Sequence, residues 1–378
     1  MSFYSEGFKL GILGGGQLGR MFIQEAVNFD LSVHILDPNP EAPCSKIAHS
    51  FTCGAFTDYD TVMAFGKDLD VLTIEIENVN TQALKDLSEA GVRVFPQADV
   101  IETIKDKGKQ KLFYRMNSIP TAAFHLVESE NEIGESDLPC IQKLRVGGYD
   151  GRGVKVLRTK EDLKDLLPGP SVVEELIDIE KEISVIVARN ERGETRSFPA
   201  VELEFHPVAN LVEFLKCPAD ISIELQKKAE ELAVACIEKF ELIGILGVEI
   251  FLTKTGDIII NEVAPRTHNS GHQSIEGNNC SQFEQHLRSV LNLPLGDPRI
   301  TEPSVMINVL GEPGFEGPVY YEGLEDALKM PGVHPHIYGK KITKPYRKMG
   351  HITVTADSIE AATQTAQELK EIIKVKSQ

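Results

Sequence analysis

Lys143-Leu-Arg-Val-Gly-Gly-Tyr-Asp-Gly-Arg-Gly153 is the stretch on which the fold turns. It stands between two β-rich runs, Cys140–Arg145 and Val154–Leu157. Its glycines therefore belong to a hairpin cover, and the G-K-[ST] ending of a P-loop is missing. Four glycines within residues 147–153 let backbone amides close over phosphates, while Lys143 ahead of the loop and Arg152 within it neutralise charge. A floppy exposed hairpin would explain the glycines but not the flanking cations.

Downstream, β-rich segments at Ser171–Leu176 and Glu182–Ala188 precede a helix at Leu225–Phe240, in which Leu225, Ala229, Leu232, Ala233, Cys236 and Phe240 fall on one apolar stripe. Strands follow at Ile245–Leu252 and Ile258–Val263. A hairpin turning at Thr255-Gly256 sets Glu249 directly across from Glu262, with Cβ atoms about 4.5–5.5 Å apart. Opposed carboxylates repel unless a cation lies between them, and Mg²⁺ binds through one or two carboxylates plus substrate phosphates. Asn261 offers a further oxygen. A one-residue bulge shifts this register, and a solvated surface pair is the bland alternative.

Upstream, short strands at Lys9–Leu13, Ser32–Leu36, Val71–Ile76 and Val92–Phe95 alternate with helical patterns such as Gln17–Asn28, which reads as βαβ units on a parallel sheet. Gly14-Gly-Gly-Gln-Leu-Gly19 satisfies G-x-G-x-x-G after the first strand, and Asp37 ends the second. Taken alone this segment fits an NAD-dependent oxidoreductase. A helix N-terminus binds any phosphate, however, and the glycines also suit close strand–helix packing. Lys105–Met116 reads as a charged helix and Glu128–Asp137 as a loop. The chain ends in a strand, His351–Thr355, and a helix, Ile359–Ile373.

The 378 residues carry 39 Lys+Arg against 57 Asp+Glu, a net charge of −18, which opposes a polyanion partner unless basic residues concentrate somewhere. Lys340, Lys341, Lys344, Arg347 and Lys348 do concentrate, but over too short a run for nucleic acid. No signal-like or membrane-spanning run is seen, and six scattered cysteines suggest buried reduced thiols, so a cytoplasmic protein with neither membrane nor nucleic-acid partners is expected.

GGGQLGRM, K-x-R-x-GGYDGRG, the Glu174-Glu-Leu-Ile177 strand and VEIF…INEVAPRTHNSGH together resemble the ATP-grasp carboxylate–amine ligases, and among them the N5-carboxyaminoimidazole ribonucleotide synthetase family of purine biosynthesis. The resemblance spans essentially the whole chain. It implies an α/β and α+β protein: a Rossmann-like domain at 1–100, an ATP-grasp domain at 101–295 with a lid at about 120–185, and a small domain at 296–378 that completes the substrate site.

The resemblance also assigns residues. Lys107, Lys143 and Gly148, Tyr149, Asp150, Gly151, Arg152 and Gly153 would hold ATP phosphates, although family members usually carry Arg in place of Lys107. Glu174, Glu175, Leu176 and Ile177 would meet adenine, Glu182 the ribose, and His206 the nucleotide's edge. Glu249 and Glu262, with Asn261, match a Mg²⁺ site that Mn²⁺ can also fill. Arg152, Arg266 and His268 would hold bicarbonate and carboxyphosphate. Tyr149 and Asp150 would close over the substrate amine, and Glu75 or Glu77, two apart at a strand end, would orient it. Gly16, Gln17, Leu18, Asn269, Ser270, Lys341, Arg347 and Lys348 would meet aminoimidazole ribonucleotide. The implied reaction uses ATP and bicarbonate to carboxylate that ribonucleotide in a homodimeric enzyme.

A formate-using transformylase of the same superfamily is the nearest competitor, and THNSGH favours the carboxylase. The oxidoreductase reading leaves the second glycine loop and the acid pair without a role, and a non-catalytic nucleotide-binding module has no need of both acids. His268 and His272 are four apart, but no helix carries that spacing, so an anion-binding loop fits better than zinc.

Overall fold

The computed structural model describes Ser5 and residues 7–148, 153–206 and 211–378. Among these the strands form four sheets. The first is parallel, in the order Ser50–Cys53, Val33–Asp37, Leu10–Leu13, Val71–Ile74, Arg93–Val94. Leu10–Leu13 lies at its centre and is buried along its length, as a strand covered on both faces must be. Helices Gln17–Asn28, Tyr59–Gly66 and Thr81–Glu89 cover it. The chain leaves the central strand through Gly14, whose φ of +103° only glycine adopts without strain.

The lid sheet is antiparallel: Phe124–Val127, Ser171–Glu175, Cys140–Leu144, Val154–Leu157. The charged segment before it is two helices, Ala98–Ile104 and Lys107–Met116. Asp106 separates them, its carboxylate capping the second by accepting from Gly108 N at 2.8 Å and Lys109 N at 3.1 Å. The expected loop at Glu128–Asp137 holds two short 3₁₀ turns.

The largest sheet has nine strands, Ile258–Ala264, Gly244–Thr253, Ile179–Arg189, Val201–Phe205, Val212–Cys217, Ser304–Leu310, Lys348–Thr355 and Val333–Ile337 in order, with Thr195–Ser197 beside Ile179–Arg189. Because Val212–Cys217 pairs antiparallel with Ser304–Leu310, the sheet continues without a break past residue 296. Helix Ile223–Lys239 buries Ala229, Ala233 and Cys236 against this sheet's core, the stripe read from the sequence. Helix Gln282–Val290 packs Phe283, Leu287 and Val290 into the core of the first domain, tying the two units together. A three-stranded sheet (Ile342–Thr343, Gly317–Glu322, Lys374–Ser377) closes the C-terminal region.

Five of the six cysteines are buried and free. Cys53 is exposed, against expectation, because it ends an edge strand of the first sheet. No helix among the described residues is long and apolar enough to cross a membrane.

Candidate active site

The site begins with the acid hairpin. Glu249 opposes Glu262, as the spacing predicts, but the strands reach that pairing through a bulge: nearer the turn Ile250 faces Ile260, which leaves Asn261 as the extra residue. The bulge swings Asn261 toward the acids, where it donates to Glu249 Oε2 at 3.4 Å and accepts from Lys143 Nζ at 2.8 Å. Ser184 on the next strand faces Glu249, and Glu182, two residues along, shares that side of the sheet. Three carboxylates and an amide thus line one patch. Burial, then Glu262 and Glu182, raise the carboxyl of Glu249 above its ordinary range. Burial would raise Glu262 as well, but the Lys107 ammonium touching it, followed by Lys143 and His268, holds it below. A pair in which one acid resists ionisation while the other already binds an ammonium is suited to a divalent cation.

Cations face this patch from the lid side. Lys107 opens its helix, and its main-chain N–H donates to Arg145 O at 2.8 Å. Arg145 grips Asp106 through two bonds of 3.1 and 2.8 Å, so the lid strand and the Lys107 helix are clamped together. Lys143 reaches Glu174 at 3.0 Å, and Lys111 reaches the same carboxylate at 3.1 Å on its other oxygen. Lys111 is 2% exposed, and burial, partly offset by Glu174, lowers its ammonium to about 8. Neither Lys111 nor Arg145 was anticipated from the sequence.

The loop His268–Gly271 supplies the floor. His268 Nδ1 lies 2.8 Å from Ser270 Oγ, itself 2.7 Å from Ser184 Oγ, and His268 Nε2 lies 3.6 Å from Glu249. Ser270, expected at the substrate, is buried and orients His268 instead. Asn269, likewise expected there, exchanges amide bonds of 3.2 and 3.1 Å with Asn308. His272 turns away from His268 into the interior, 4.7 Å from the ring of His351. Arg266 Nε meets Glu77 at 2.9 Å, a contact that joins the acid hairpin's exit to the first domain.

The first glycine turn departs most from expectation. Glu75 places its carboxylate over the start of helix Gln17–Asn28, accepting from Gly16 N and from Leu18 N at 2.9 Å, while Asp37 accepts from Gly15 N at 2.7 Å. The amides of Gly16 and Leu18, expected to meet a nucleotide, are therefore engaged by the protein's own acid, and the Leu18 side chain is in the core. Asp37 is likewise engaged by the turn, its other oxygen accepting from Asn39 N at 2.8 Å, and the dinucleotide reading is not favoured. Burial raises Glu75, and the three amides of Gly16, Gly19 and Leu18 partly reverse this. Glu75 and Glu77 were expected to face the same way. The strand ends at Ile74, so alternation lapses beyond it and the two acids diverge. Gln17 stays half-buried beside them.

The remaining assignments scatter. Lys341 pairs with Glu41, beyond Asp37 at the rim of the glycine turn. Arg347 donates to Ile342 O at 2.6 Å, and Lys348 starts the strand that carries His351. His206 lines a cavity of about 330 Å³ with Asn308, Tyr346 and Lys370. The Glu174 side chain lies between two lysines, and Glu175, next along the strand, is exposed on the opposite side. Leu176 and Ile177 link the lid to strand Ile179–Arg189. Gly148 and Gly153 form the closed stem of the lid loop, a Cβ on Gly153 falling 3.2 Å from Gly148 Cα. Tyr149, Asp150, Gly151 and Arg152 lie outside the described residues.

With this geometry in hand, likeness to known proteins is informative. Residues 8–105 match the ribonucleotide synthetase preATP-grasp domain, residues 112–283 the ATP-grasp domain, and residues 304–365 the phosphoribosylaminoimidazole carboxylase C-terminal domain. The chloroplastic phosphoribosylaminoimidazole carboxylase of Vigna aconitifolia is 37% identical over 93% of this chain, which spans 64% of that longer relative. The N5-carboxyaminoimidazole ribonucleotide synthetase of Thermotoga maritima is similar in structure, with a TM-score of 0.90 and 41% identity over 98% of this chain and all of that one. The N5-carboxyaminoimidazole synthase of Aspergillus clavatus, solved with ADP and 5-aminoimidazole ribonucleotide, gives a TM-score of 0.87 and 33% identity over 96% of this chain and 98% of that one.

Proposed function

The chain belongs to the N5-carboxyaminoimidazole ribonucleotide synthetase family of ATP-grasp ligases, and we propose that it carboxylates the amine of aminoimidazole ribonucleotide with bicarbonate at the expense of ATP. The observation that carries this reading is the opposed pair Glu249 and Glu262, bulged to include Asn261 and faced by Lys107 and Lys143. Glu249, Glu262 and Asn261 would hold Mg²⁺, which supplies charge neutralisation at the phosphoryl oxygens. Lys107, paired with Glu262, and Lys143 would hold neighbouring phosphates. Bicarbonate oxygen attacks the γ-phosphorus, the bond to the β-phosphate oxygen breaks, and ADP leaves carboxyphosphate behind. Arg266 and His268, at the junction with the first domain, balance its charge where both act on developing anions. The ribonucleotide amine then attacks the carboxyl carbon, losing a proton as phosphate departs. Glu77, which Arg266 holds at 2.9 Å, would orient that amine.

A coupled ADP-release assay tests the reading. ADP should form only with Mg²⁺, bicarbonate and aminoimidazole ribonucleotide together. ADP release indifferent to the ribonucleotide would overturn the substrate assignment.

A further inference from the structure

Lys111 stands in none of the roles assigned above, yet it occupies the junction of the site. It lies four residues after Lys107, one helical turn on and on the same face. Lys107 reaches down to Glu262 on the acid hairpin, whereas Lys111 reaches two structures at once. Its ammonium faces Glu174 of the lid sheet at 3.1 Å and donates to Thr121 Oγ1 at 2.5 Å. Thr121 in turn donates to Ile260 O at 2.8 Å, and the Ile260 N–H donates to Pro120 O at 2.8 Å. Ile260 is the residue immediately before the bulge that carries Asn261 and Glu262.

On its far side Glu174 holds Lys143, whose ammonium also touches Asn261. The contacts close a ring: Lys111, Glu174, Lys143, Asn261, Ile260, Thr121. Lys143 meets only one oxygen of the buried Glu174 carboxylate, and truncating one partner of such a group is costly. Here the second lysine completes it, and the Glu174 oxygen facing Lys111 has no hydrogen bond of its own. Lys111 acts on that oxygen as a charge, while its hydrogen bond anchors the hairpin.

We propose that Lys111 is a positioning residue for ATP: it counter-charges Glu174 so that Lys143 stays aimed at the phosphates, and through Thr121 it fixes the lid sheet to the metal hairpin. The inference rests on the reading of the site as an ATP-binding one, so the unmodified protein is assayed first. Failure of that protein to turn over ATP defeats the site reading, whereas a normal wild type beside an unaffected variant defeats only the inference. Lys111→Met keeps the apolar stem and removes the charge. It should raise the KM for Mg²⁺·ATP about tenfold, the scale of one charged hydrogen bond, and leave the KM for the ribonucleotide within about twofold. Glu174→Gln should raise the ATP KM similarly. Adding Lys111→Met to Glu174→Gln should then change the ATP KM less than about twofold, because the lysine works through the acid. Equal effects of Lys111→Met in both backgrounds, or an ATP KM unchanged in the single variant, would overturn the proposal. Should the single variant not fold, Glu174→Gln against the double variant, in which no buried charge of the pair is left unmatched, decides it by the same criterion.

Discussion

Two clusters of hydrogen-bond donors among the described residues meet their acidic partners in opposite ways. In the first glycine turn the donors are backbone amides, fixed by the helix, and Glu75 and Asp37 fill them from within. In the cleft between the lid sheet and the nine-stranded sheet the donors are lysine ammoniums on flexible stems, and their acidic partners are themselves suited to a metal. The turn is a closed account of donors and acceptors, and the cleft is an exchangeable one. A glycine motif reports the shape a backbone takes, and distant side chains decide whether that shape is free for a ligand.

Breaking the exchangeable side should have the largest effect. Glu262→Gln removes the acid that Lys107 holds and that the proposed Mg²⁺ site would use, and should lower turnover on the order of 100-fold, as expected when one group stabilising phosphoryl charge is lost. Steady-state ADP formation across a Mg²⁺ titration measures this. Near-normal activity would erase the distinction between the two clusters.

Opening the closed side tests it from the other direction. Glu75→Ala strips the acceptor from Gly16 and Leu18 and should destabilise the fold by about 1–3 kcal/mol, the usual cost of orphaned buried donors. Inorganic pyrophosphate, which the cleft lysines can hold in both proteins, should raise the Tm of the variant by more than that of the wild type. Equal stabilisation of both would mean that freeing the amides opens no anion site. The smallest effect is expected at the basic strand. If the turn's amides are engaged, the ribonucleotide phosphate depends on side-chain cations, and Lys348→Ala should raise the ribonucleotide KM several-fold, about 1 kcal/mol, more than it raises that for ATP. Equal shifts in both constants would return the phosphate to the glycine turn.

The legibility of the site follows the range of its interactions. The Glu249–Glu262 opposition could be read because strand pairing across a short turn is local arithmetic, and even the bulge at Asn261 changes only one step of it. The parallel order of the first sheet followed from alternating strands and helices. Its strand Ser50–Cys53 was missed because an alternation of only four residues, Phe51 and Cys53 against Ser50 and Thr52, is too short to stand out from the loops around it. Lys111 was illegible for a different reason. It ends a run in which Lys105, Lys107, Lys109 and Lys111 alternate with other residues, and so many charges in one segment read as solvated on whichever side of the helix they fall. Only packing reveals that Lys109 is exposed while Lys111 is buried. Glu75 reaches the turn across more than fifty residues of chain, and no local pattern marks it as a cap. The strands after Pro294, interrupted by glycine and proline, likewise acquire their order from the sheet they join.

The loop after Arg266 also acts as a tie across the sheet. His268 lies against Gly247 on strand Gly244–Thr253, a Cβ there falling 2.9 Å from the His268 Cβ, while His272 stacks near His351 on strand Lys348–Thr355. Those strands are five places apart in the sheet, which in a flat ribbon would separate them by roughly 24 Å. Five residues passing through a 3₁₀ turn advance only about 10 Å. The two histidine side chains cover the remaining distance, so the loop ties the strand bearing Glu249 to the strand that Lys348 opens. Lengthening that tie by a single residue would loosen the coupling between those two strands without touching Glu249 or Lys348.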